Sequence, residues 1–160
     1  MKLENVRALH LELTTRCNAS CPMCMRNYRG SDHNSGYPLT ELSLVHVKQI
    51  FSANFLQNIE EIKINGNLGD FGMASDAVDI VNYFLDNSAA KILIETNGSM
   101  RTPDWWQQLV SDRVTIFWAL DGIDNDTHQL YRINADFSRT LKNAVAFIDA
   151  GGYAGWKFIP

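Results

Sequence analysis

Residues 7–24 read RALHLELTTRCNASCPMC, an alternating apolar run that leads directly into three cysteines. Cys17, Cys21 and Cys24 are the only cysteines of the sequence, and their spacing is C-x3-C-x2-C. Three neighbouring thiols always leave one without a partner, so the pattern does not suit a set of disulfides. Three thiolates can instead hold three corners of a four-cornered metal cluster and leave the fourth metal open to a ligand. The run and the cysteines together predict a first strand followed by a reactive loop.

The composition is that of a globular domain whose partners are not set by charge. The 160 residues are 46% hydrophobic and 20% charged, which provides enough apolar material for a core. A net charge of −4 gives no electrostatic reason to expect nucleic acid or an anionic membrane as a partner. The first residues lack the apolar stretch of a signal peptide, and no run approaches the roughly 18 apolar residues of a membrane span. Clustered thiols suit a reducing compartment, so we expect a cytoplasmic protein without a membrane partner.

Short apolar runs alternate with helix-like segments along the chain, which predicts a parallel sheet with helical crossovers. The predicted strands are 7–13, 61–65, 91–95, 114–120 and 153–159. Five helices are predicted. The first is capped by Thr40 and has Leu44, Val47, Phe51 and Phe55 on one face, and the second is capped by Ser75 and carries Val78, Val81 and Leu85. The third starts at Thr102-Pro103, the fourth covers 126–131, and the fifth covers 138–150 with Leu141, Val145 and Ile148 in register.

Polar or glycine-bearing turns follow the first four predicted strands. They are the cysteine loop, residues 65–70 (NGNLGD), residues 96–98 (TNG) and Asp121-Gly122. Ligands of parallel α/β sheets collect at the carboxyl ends of the strands. The sequence therefore predicts that these four turns converge on one rim and form a ligand site.

This combination resembles the radical S-adenosylmethionine (radical SAM) superfamily over residues 10–160. The run LELTTRCN at 11–18 is similar to the cluster approach of the SPASM-type branch, and ETNG at 95–98 is similar to the turn after its third strand. Residues 64–71 resemble the glycine-acid segment after the second strand. Asp121-Gly122, followed by His128, Tyr131 and Arg132, resembles the D-G…H…Y-R stretch.

The resemblance implies a fold, two cofactors and a reaction. The fold would be a parallel β/α partial barrel, an incomplete TIM-like barrel of about five β/α units. Cys17, Cys21 and Cys24 would bind three irons of a [4Fe-4S] cluster, and S-adenosylmethionine would bind the fourth. One electron from a flavodoxin-like or ferredoxin-like donor would then release a 5′-deoxyadenosyl radical, which removes hydrogen from a substrate. A peptide or protein is the substrate class implied by the branch.

The resemblance also implies roles for residues outside the cysteines. Gly66 and Gly69 would allow close approach to the cofactor, and either Asn67 or Asp70 would receive its ammonium, because Leu68 interrupts the usual glycine-acid pattern. Arg132 would pair with its carboxylate. The remaining cofactor-binding candidates are Met23, in the position where the family often has an aromatic residue near the adenine, and Thr96, Asn97 and Asp121.

Several alternatives are open from the residues alone. The cysteines could form a zinc knuckle completed by His33 or His10, or remain buried thiols, which would make the chain a non-catalytic zinc or iron-sulfur binding module. The turns after the second and third strands could be ordinary tight turns, Asp121 a helix cap, and Arg132 a solvated surface residue. Within enzymes, the alternative is a glycyl-radical-type activase of a protein partner.

The absence of any cysteine after Cys24 implies that this sequence cannot build the auxiliary clusters of the SPASM-type branch. We expect residues 1–160 to form one core domain, compact or truncated at its C-terminal end. A degenerate fragment that binds iron without cleaving the cofactor is a further alternative.

Overall fold

Five parallel strands form one sheet in the computed structural model of this chain, which describes residues 3–27 and 37–159. The strands are β1 (Ala8–Leu11), β2 (Glu61–Ile64), β3 (Lys91–Thr96), β4 (Val114–Ala119) and β5 (Tyr153–Lys157). They lie in chain order, β1-β2-β3-β4-β5, and each neighbouring pair is parallel. The predicted α/β class and the parallel sheet are confirmed. The predictions for the first and fifth strands were too long, because hydrogen-bonded pairing ends at Leu11 and Lys157.

The helices of the described residues lie in the connections between strands. They are α1 (Leu44–Ile50), α2 (Ala53–Leu56), α3 (Ala77–Asn87), α4 (Pro103–Gln107), α5 (Asn125–His128) and α6 (Phe137–Asp149), and two 3-10 turns cover Leu3–Asn5 and Phe71–Met73. Among the residues described, none of the helices has the length and apolar character needed to cross a membrane.

The prediction of one helix capped by Thr40 was wrong. Helix α1 begins after Ser43, whose side chain accepts a hydrogen bond from the amide of His46, and it ends at Ile50, before the extended Phe51. Ser52 then caps the separate helix α2. Thr40 instead donates its amide to Thr15 Oγ1 at 2.8 Å and so fixes the approach to the cysteine loop. Serine caps at both breaks were the local signal for two short helices.

The other helix starts differ by smaller amounts. Asp76, not Ser75, precedes α3, and its carboxylate accepts a hydrogen bond from the amide of Leu44 at 2.8 Å. Thr102 precedes Pro103 at the start of α4, as predicted. Asp124 caps α5, which ends at His128 and not at Tyr131.

The apolar stripe predicted for the last helix does not pack on the sheet. Leu141, Val145 and Ile148 are each more than 40% exposed on α6. The buried face of α6 carries Ala144 and Phe147, and also the polar Thr140 and Asn143. Thr140 donates to Asn97 O at 2.9 Å and Asn143 to Gly98 O at 2.8 Å, so the polar side chains are buried because they satisfy carbonyls of the turn after β3.

The two faces of the sheet have different compositions. On the face covered by helices, the strands contribute the fully buried Ile62, Ile64, Ile92, Ile94 and Ile116. This alternation has the two-residue period of a strand. The opposite face, called here the open face, is half-exposed and mixed, with Lys63 and Glu95 beside Leu93 and Phe117, and it leads to the rim formed by the strand ends.

Candidate active site at the strand ends

The cysteine loop follows β1 and is anchored by the segment after α5. Cys21 is 7% exposed and packs with Ala19 and Ala135 in a small apolar cluster that Cys17 and Cys24 flank. The amide of Ser20 donates to Ile133 O at 2.8 Å, and the Asn18 side chain donates to Asn134 O at 3.2 Å. The part of the loop between Cys17 and Cys21 is therefore held from across the rim.

All three cysteines line one cavity of about 250 Å³. The residues from elsewhere in the chain that line the same cavity include Asn65, Gly66, Asn67, Leu68, Gly69, Asp70, Glu95, Thr96, Asn97, Phe117, Ala119, Tyr131, Arg132 and Lys157. The turns after β2 and β3 thus meet the cysteine loop at one rim. Met23 does not line this cavity and is 82% exposed. Asp121 does not line it either, but its carboxylate pairs with Arg132, which does.

The sulfurs of Cys17 and Cys21 lie near N–H donors. Cys17 Sγ lies 3.4 Å from the amide of Ala19 and 3.7 Å from Asn97 Nδ2. Cys21 Sγ lies 3.8 Å from Arg132 Nη1. Such donors stabilise a thiolate.

Burial nevertheless keeps two thiols protonated without a metal. Burial, with a smaller contribution from the charge of Asp70, raises the pKa of Cys17 to about 12. Burial also raises the pKa of Cys21, although the Arg132 guanidinium offsets part of the effect. A metal ion deprotonates the thiols that it binds, so these thiols suit metal ligation better than free nucleophilic chemistry.

The donor set fits an iron-sulfur cluster. Three thiols line one cavity, with N–H groups directed at two of the sulfurs. Among the described residues, no three His, Cys, Asp or Glu side chains converge as the ligands of a single metal ion would. A [4Fe-4S] cluster has a different requirement, because each cysteine binds its own iron. His33, the candidate fourth ligand for zinc, lies outside the described residues, and His10 is exposed on β1.

Asp70 joins the second and third loops of the rim. Its Oδ1 accepts from the amide of Gly72 at 2.9 Å and from Thr96 Oγ1 at 2.9 Å, and its Oδ2 accepts from the amide of Asn97 at 2.7 Å. Burial raises the pKa of Asp70, while these hydrogen bonds, led by the amide of Asn97, act in the opposite direction. Both carboxylate oxygens are already occupied, so an incoming ammonium would have to share them.

The glycines after β2 are required by the protein's own backbone. A Cβ on Gly66 would lie 2.0 Å from Gly69 O, and a Cβ on Gly69 would lie 1.9 Å from Thr14 O. Both values are far below van der Waals contact, so neither position accepts a side chain without moving the loop. The close approach at Gly66 is within the loop itself, and the one at Gly69 is to the residues that lead into the cysteines.

Glu12 fixes the outer part of the same loop. Its carboxylate accepts from the amide of Asn67 at 3.1 Å and also from the Asn67 side chain. The carbonyl of Asn67 faces Cys24 Sγ at 3.7 Å. The side chain of Asn67 is therefore committed to Glu12, while its carbonyl points to the cysteine loop.

The turn after β3 orients the cysteine loop. Asn97 Nδ2 donates to Asn18 Oδ1 at 3.1 Å, and Asn18 Nδ2 donates to Ser99 Oγ at 2.8 Å. Gly98 has φ +68°, a left-handed value that favours glycine. Thr96 and Asn97 thus lie at the site through contacts with Asp70 and the cysteine loop.

Arg132 is held over the cavity by Asp121. Arg132 Nε donates to Asp121 Oδ2, and the other oxygen of Asp121 accepts from the amide of Ile159 at 2.7 Å. The amide of Asp121 in turn donates to His128 Nδ1 at 3.2 Å. Burial lowers the pKa of Arg132, but the hydrogen bond and the charge of Asp121 outweigh it and raise the pKa, so the guanidinium is charged at neutral pH.

Two arrangements at this site are visible only in the fold. Glu12 lies within the quoted run, but only the fold reveals that it caps the loop after β2. Lys63, Glu95 and Lys157 form a row of ion pairs on the open face, from residues 94 positions apart in the chain. The alternation of Lys63 and Glu95 with buried neighbours on β2 and β3 was the available signal, whereas β5 has no buried residue.

A comparison with protein families matches residues 11–159 to the model of the radical SAM superfamily. Among curated proteins, the chain is 23% identical over 149 residues to a probable GTP 3′,8-cyclase of Methanococcus maripaludis strain S2, with 91% of this chain and 47% of the relative covered. A second strain of that organism, C7, gives the same values. The chain spans about half the length of the curated relatives it matches.

Solved structures share the fold. The Streptococcus suis protein SuiB bound to precursor peptide SuiA has a TM-score of 0.72 at 18% identity, with 93% of this chain and 32% of that chain covered. Histidine-tagged anSMEcpe with bound AdoMet has a TM-score of 0.69 at 16% identity, covering 94% of this chain and 42% of that chain. Both likenesses concern the fold.

Proposed function

The chain belongs to the radical SAM superfamily, and from this membership we propose that it binds a [4Fe-4S] cluster through Cys17, Cys21 and Cys24 and cleaves S-adenosylmethionine reductively. The observation that carries the proposal is the shared cavity, in which the three cysteines meet the turns after β2 and β3. When bound, the cluster and S-adenosylmethionine supply a 5′-deoxyadenosyl radical, which removes hydrogen from a substrate.

The rest of the rim supports a binding site for the cofactor's amino acid end. Arg132, fixed by Asp121 beside Cys21, offers a charged fork whose geometry matches a carboxylate. Between the two candidates for the ammonium, the contacts favour Asn67, because both oxygens of Asp70 are already hydrogen-bonded. When Cys24 binds iron, it loses the S–H group that faces the Asn67 carbonyl. That oxygen can then accept a hydrogen bond from the cofactor's ammonium.

Three further roles follow from the same proposal. Thr96 and Asn97 hold Asp70 and the cysteine loop in place rather than approaching the cofactor with free side chains. A flavodoxin-like or ferredoxin-like protein would deliver the electron. A reducing cytoplasm would keep the thiols available for iron.

We propose a peptide or protein segment as the substrate class, following the branch resemblance. The SuiB structure with its precursor peptide belongs to a protein of the same fold and supports this choice. The relatives named as probable GTP 3′,8-cyclases make a nucleotide the second candidate. A nucleotide carries phosphate groups, and a peptide carries carboxylates at Asp, Glu or its C-terminus.

Anaerobic reconstitution with iron and sulfide tests the central proposal. We expect a brown protein with broad visible absorption that yields 5′-deoxyadenosine when S-adenosylmethionine and dithionite are added. A colourless protein that retains zinc tightly would identify the binding module. A brown protein that forms no 5′-deoxyadenosine would identify a chain that binds iron without the proposed reaction.

A further inference from the structure

A row of three charged side chains crosses the open face of the sheet below the cysteine rim. Glu95 Oε1 on β3 lies 2.8 Å from Lys63 Nζ on β2. Glu95 Oε2 is paired with Lys157 Nζ on β5. One carboxylate thus connects two ammonium groups that come from opposite sides of it.

The row carries a surplus positive charge. The side chain of Glu95 is 14% exposed, while those of Lys63 and Lys157 are 38% and 52% exposed. Burial alone would raise the pKa of Glu95, but the hydrogen bonds from Lys157 and Lys63 outweigh it and lower the pKa. Glu95 is therefore ionised at neutral pH and neutralises only one of its two partners. Each ammonium has three N–H donors and uses one on Glu95, so donors remain for a second anion.

The row opens into the cavity that holds the cysteines. Glu95 and Lys157 both line that cavity, and so does Phe117 of β4, which lies between their strands. A Cβ on Gly155 would lie 2.5 Å from the Phe117 ring, so the glycine leaves room for this ring to cover β5. The cavity therefore has a charged end beside an apolar floor. The other charged pair at the rim, Arg132 with Asp121, is neutral overall.

We propose that Lys157 and Lys63 bind an anionic group of the substrate, a carboxylate or a phosphate, and that Glu95, which is paired with both ammonium groups, weakens this binding by neutralising one of their two charges. Charge-assisted hydrogen bonds from an ammonium to either anion are strong, and lysine suits phosphate as well as carboxylate. The inference rests on the proposed function, because it makes this end of the cavity the substrate end. A purely structural row, which only ties β2, β3 and β5 together, would bind no added anion.

Binding measurements on the reconstituted protein test the proposal. Saturating S-adenosylmethionine is added without reductant, so that the cofactor's own carboxylate is already bound. Pyrophosphate and glutarate are then titrated separately by calorimetry into the wild type and into Lys157→Met, Lys63→Met and Glu95→Gln. Lys91→Met is the matched control, because Lys91 is exposed at the far end of β3 and its loss changes the net charge equally.

We expect the wild type to bind at least one probe. Lys157→Met should weaken binding about tenfold, as expected for the loss of one charge-assisted hydrogen bond. Lys63→Met should weaken it in the same direction, Glu95→Gln should tighten it by freeing both lysines, and Lys91→Met should leave it unchanged. Preference for pyrophosphate indicates a phosphate-bearing substrate, and preference for glutarate a carboxylate-bearing one.

The proposal is overturned if neither probe binds the wild type, or if Lys157→Met and Lys91→Met bind alike. Circular dichroism of each variant shows that it is folded. Dithionite is added to the wild-type sample after titration. If 5′-deoxyadenosine forms but no probe binds, only the anion site is wrong. If a probe binds through Lys157 and no 5′-deoxyadenosine forms, the anion site stands and the proposed reaction is wrong.

Discussion

The two faces of the sheet place opposite demands on neighbouring residues. Ile94 is fully buried against the helices, whereas Glu95, the next residue of β3, faces the cavity and pairs with two lysines. The same alternation separates the buried Ile62 from Lys63 on β2. The helix-covered face supplies the apolar burial that stabilises the fold. The open face and its rim carry groups that cost stability when buried without a partner, and they are available for chemistry.

The difference between the two faces implies that the face on which a residue lies decides whether its substitution affects stability or binding. Changes on the covered face should lower the free energy of unfolding and leave the site's composition intact. Changes on the open face or the rim should alter binding with little effect on folding. Asp70 is the informative exception, because it lies at the rim but is buried and fully hydrogen-bonded.

The largest expected effect is at the rim. Cys21→Ala should abolish both the visible absorption of the reconstituted cluster and the formation of 5′-deoxyadenosine, because an iron loses its ligand. The free energy of unfolding of the metal-free protein should change by only about 1 kcal/mol, typical of a small buried substitution.

Ser20→Ala, in the same loop, is the control for the cysteine substitution. It removes a side chain that lies 3.4 Å from Asn134 Nδ2 but no proposed iron ligand. Equal iron content in Cys21→Ala and Ser20→Ala would show that Cys21 does not bind the cluster.

On the covered face, Ile94→Ala should lower the free energy of unfolding by about 2–5 kcal/mol, because it leaves a cavity in a closely packed core. The iron bound per folded molecule should not change. Urea unfolding of the metal-free protein measures the first quantity, and iron analysis of the folded fraction measures the second. Leu93→Ala is the matched control on the open face, where the side chain is only partly buried. A larger loss for Leu93→Ala would reverse the assignment of the faces.

Asp70→Asn tests whether a buried carboxylate at the rim contributes to the stability of the fold. An asparagine side chain has one acceptor oxygen and cannot replace both carboxylate oxygens, so either the amide of Asn97 or the amide of Gly72 loses its buried partner. We expect a loss of about 1–3 kcal/mol in the free energy of unfolding, measured with urea at neutral pH. Asp86→Asn, on the exposed side of α3, is the control and should be nearly neutral. If Asp70→Asn is as stable as the wild type but binds S-adenosylmethionine poorly, Asp70 contacts the cofactor directly.

The sequence predicted the parts of the fold that depend on local pattern. The strands follow from apolar runs, and the α4 start follows from Thr102-Pro103. The packing face of α6 was not predictable in this way. Its stripe of Leu141, Val145 and Ile148 is more apolar than the face that packs, and the buried Thr140 and Asn143 are explained only by carbonyls of a turn about 43 residues earlier in the chain.

The same distinction between local sequence pattern and long-range contact applies to the candidate site. The cysteines and the turns after the strands are contiguous motifs, and their meeting in one cavity follows from parallel strands. The pairing of Glu95 with Lys63 and Lys157 depends on strand order and register, which no local pattern encodes. The hydrogen bonds that occupy Asp70 are likewise contacts between loops. Roles of single residues at the rim therefore required the fold, although the location of the rim did not.

The smallest expected effect concerns the charged row and is visible as a pH dependence. The pKa of Glu95 is lowered in the folded protein, so the folded state binds the proton less tightly than the unfolded state. The resulting stabilisation is present above the unfolded pKa of about 4.5 and is lost as the pH falls through the lower, folded pKa. The wild type should thus exceed Glu95→Gln in free energy of unfolding at pH 6, and the difference should vanish in strong acid.

The magnitude should be below about 1 kcal/mol, because both lysines are substantially exposed and water screens the pairs. Added salt should reduce it further, since exposed charges are screened by ions. Glu61→Gln, exposed at the start of β2, removes one carboxylate without breaking these ion pairs and is the control. The same pH dependence in both variants would trace the effect to net charge. A difference confined to Glu95→Gln, combined with tighter anion binding, would show that Glu95 stabilises the sheet slightly and weakens anion binding by the two lysines.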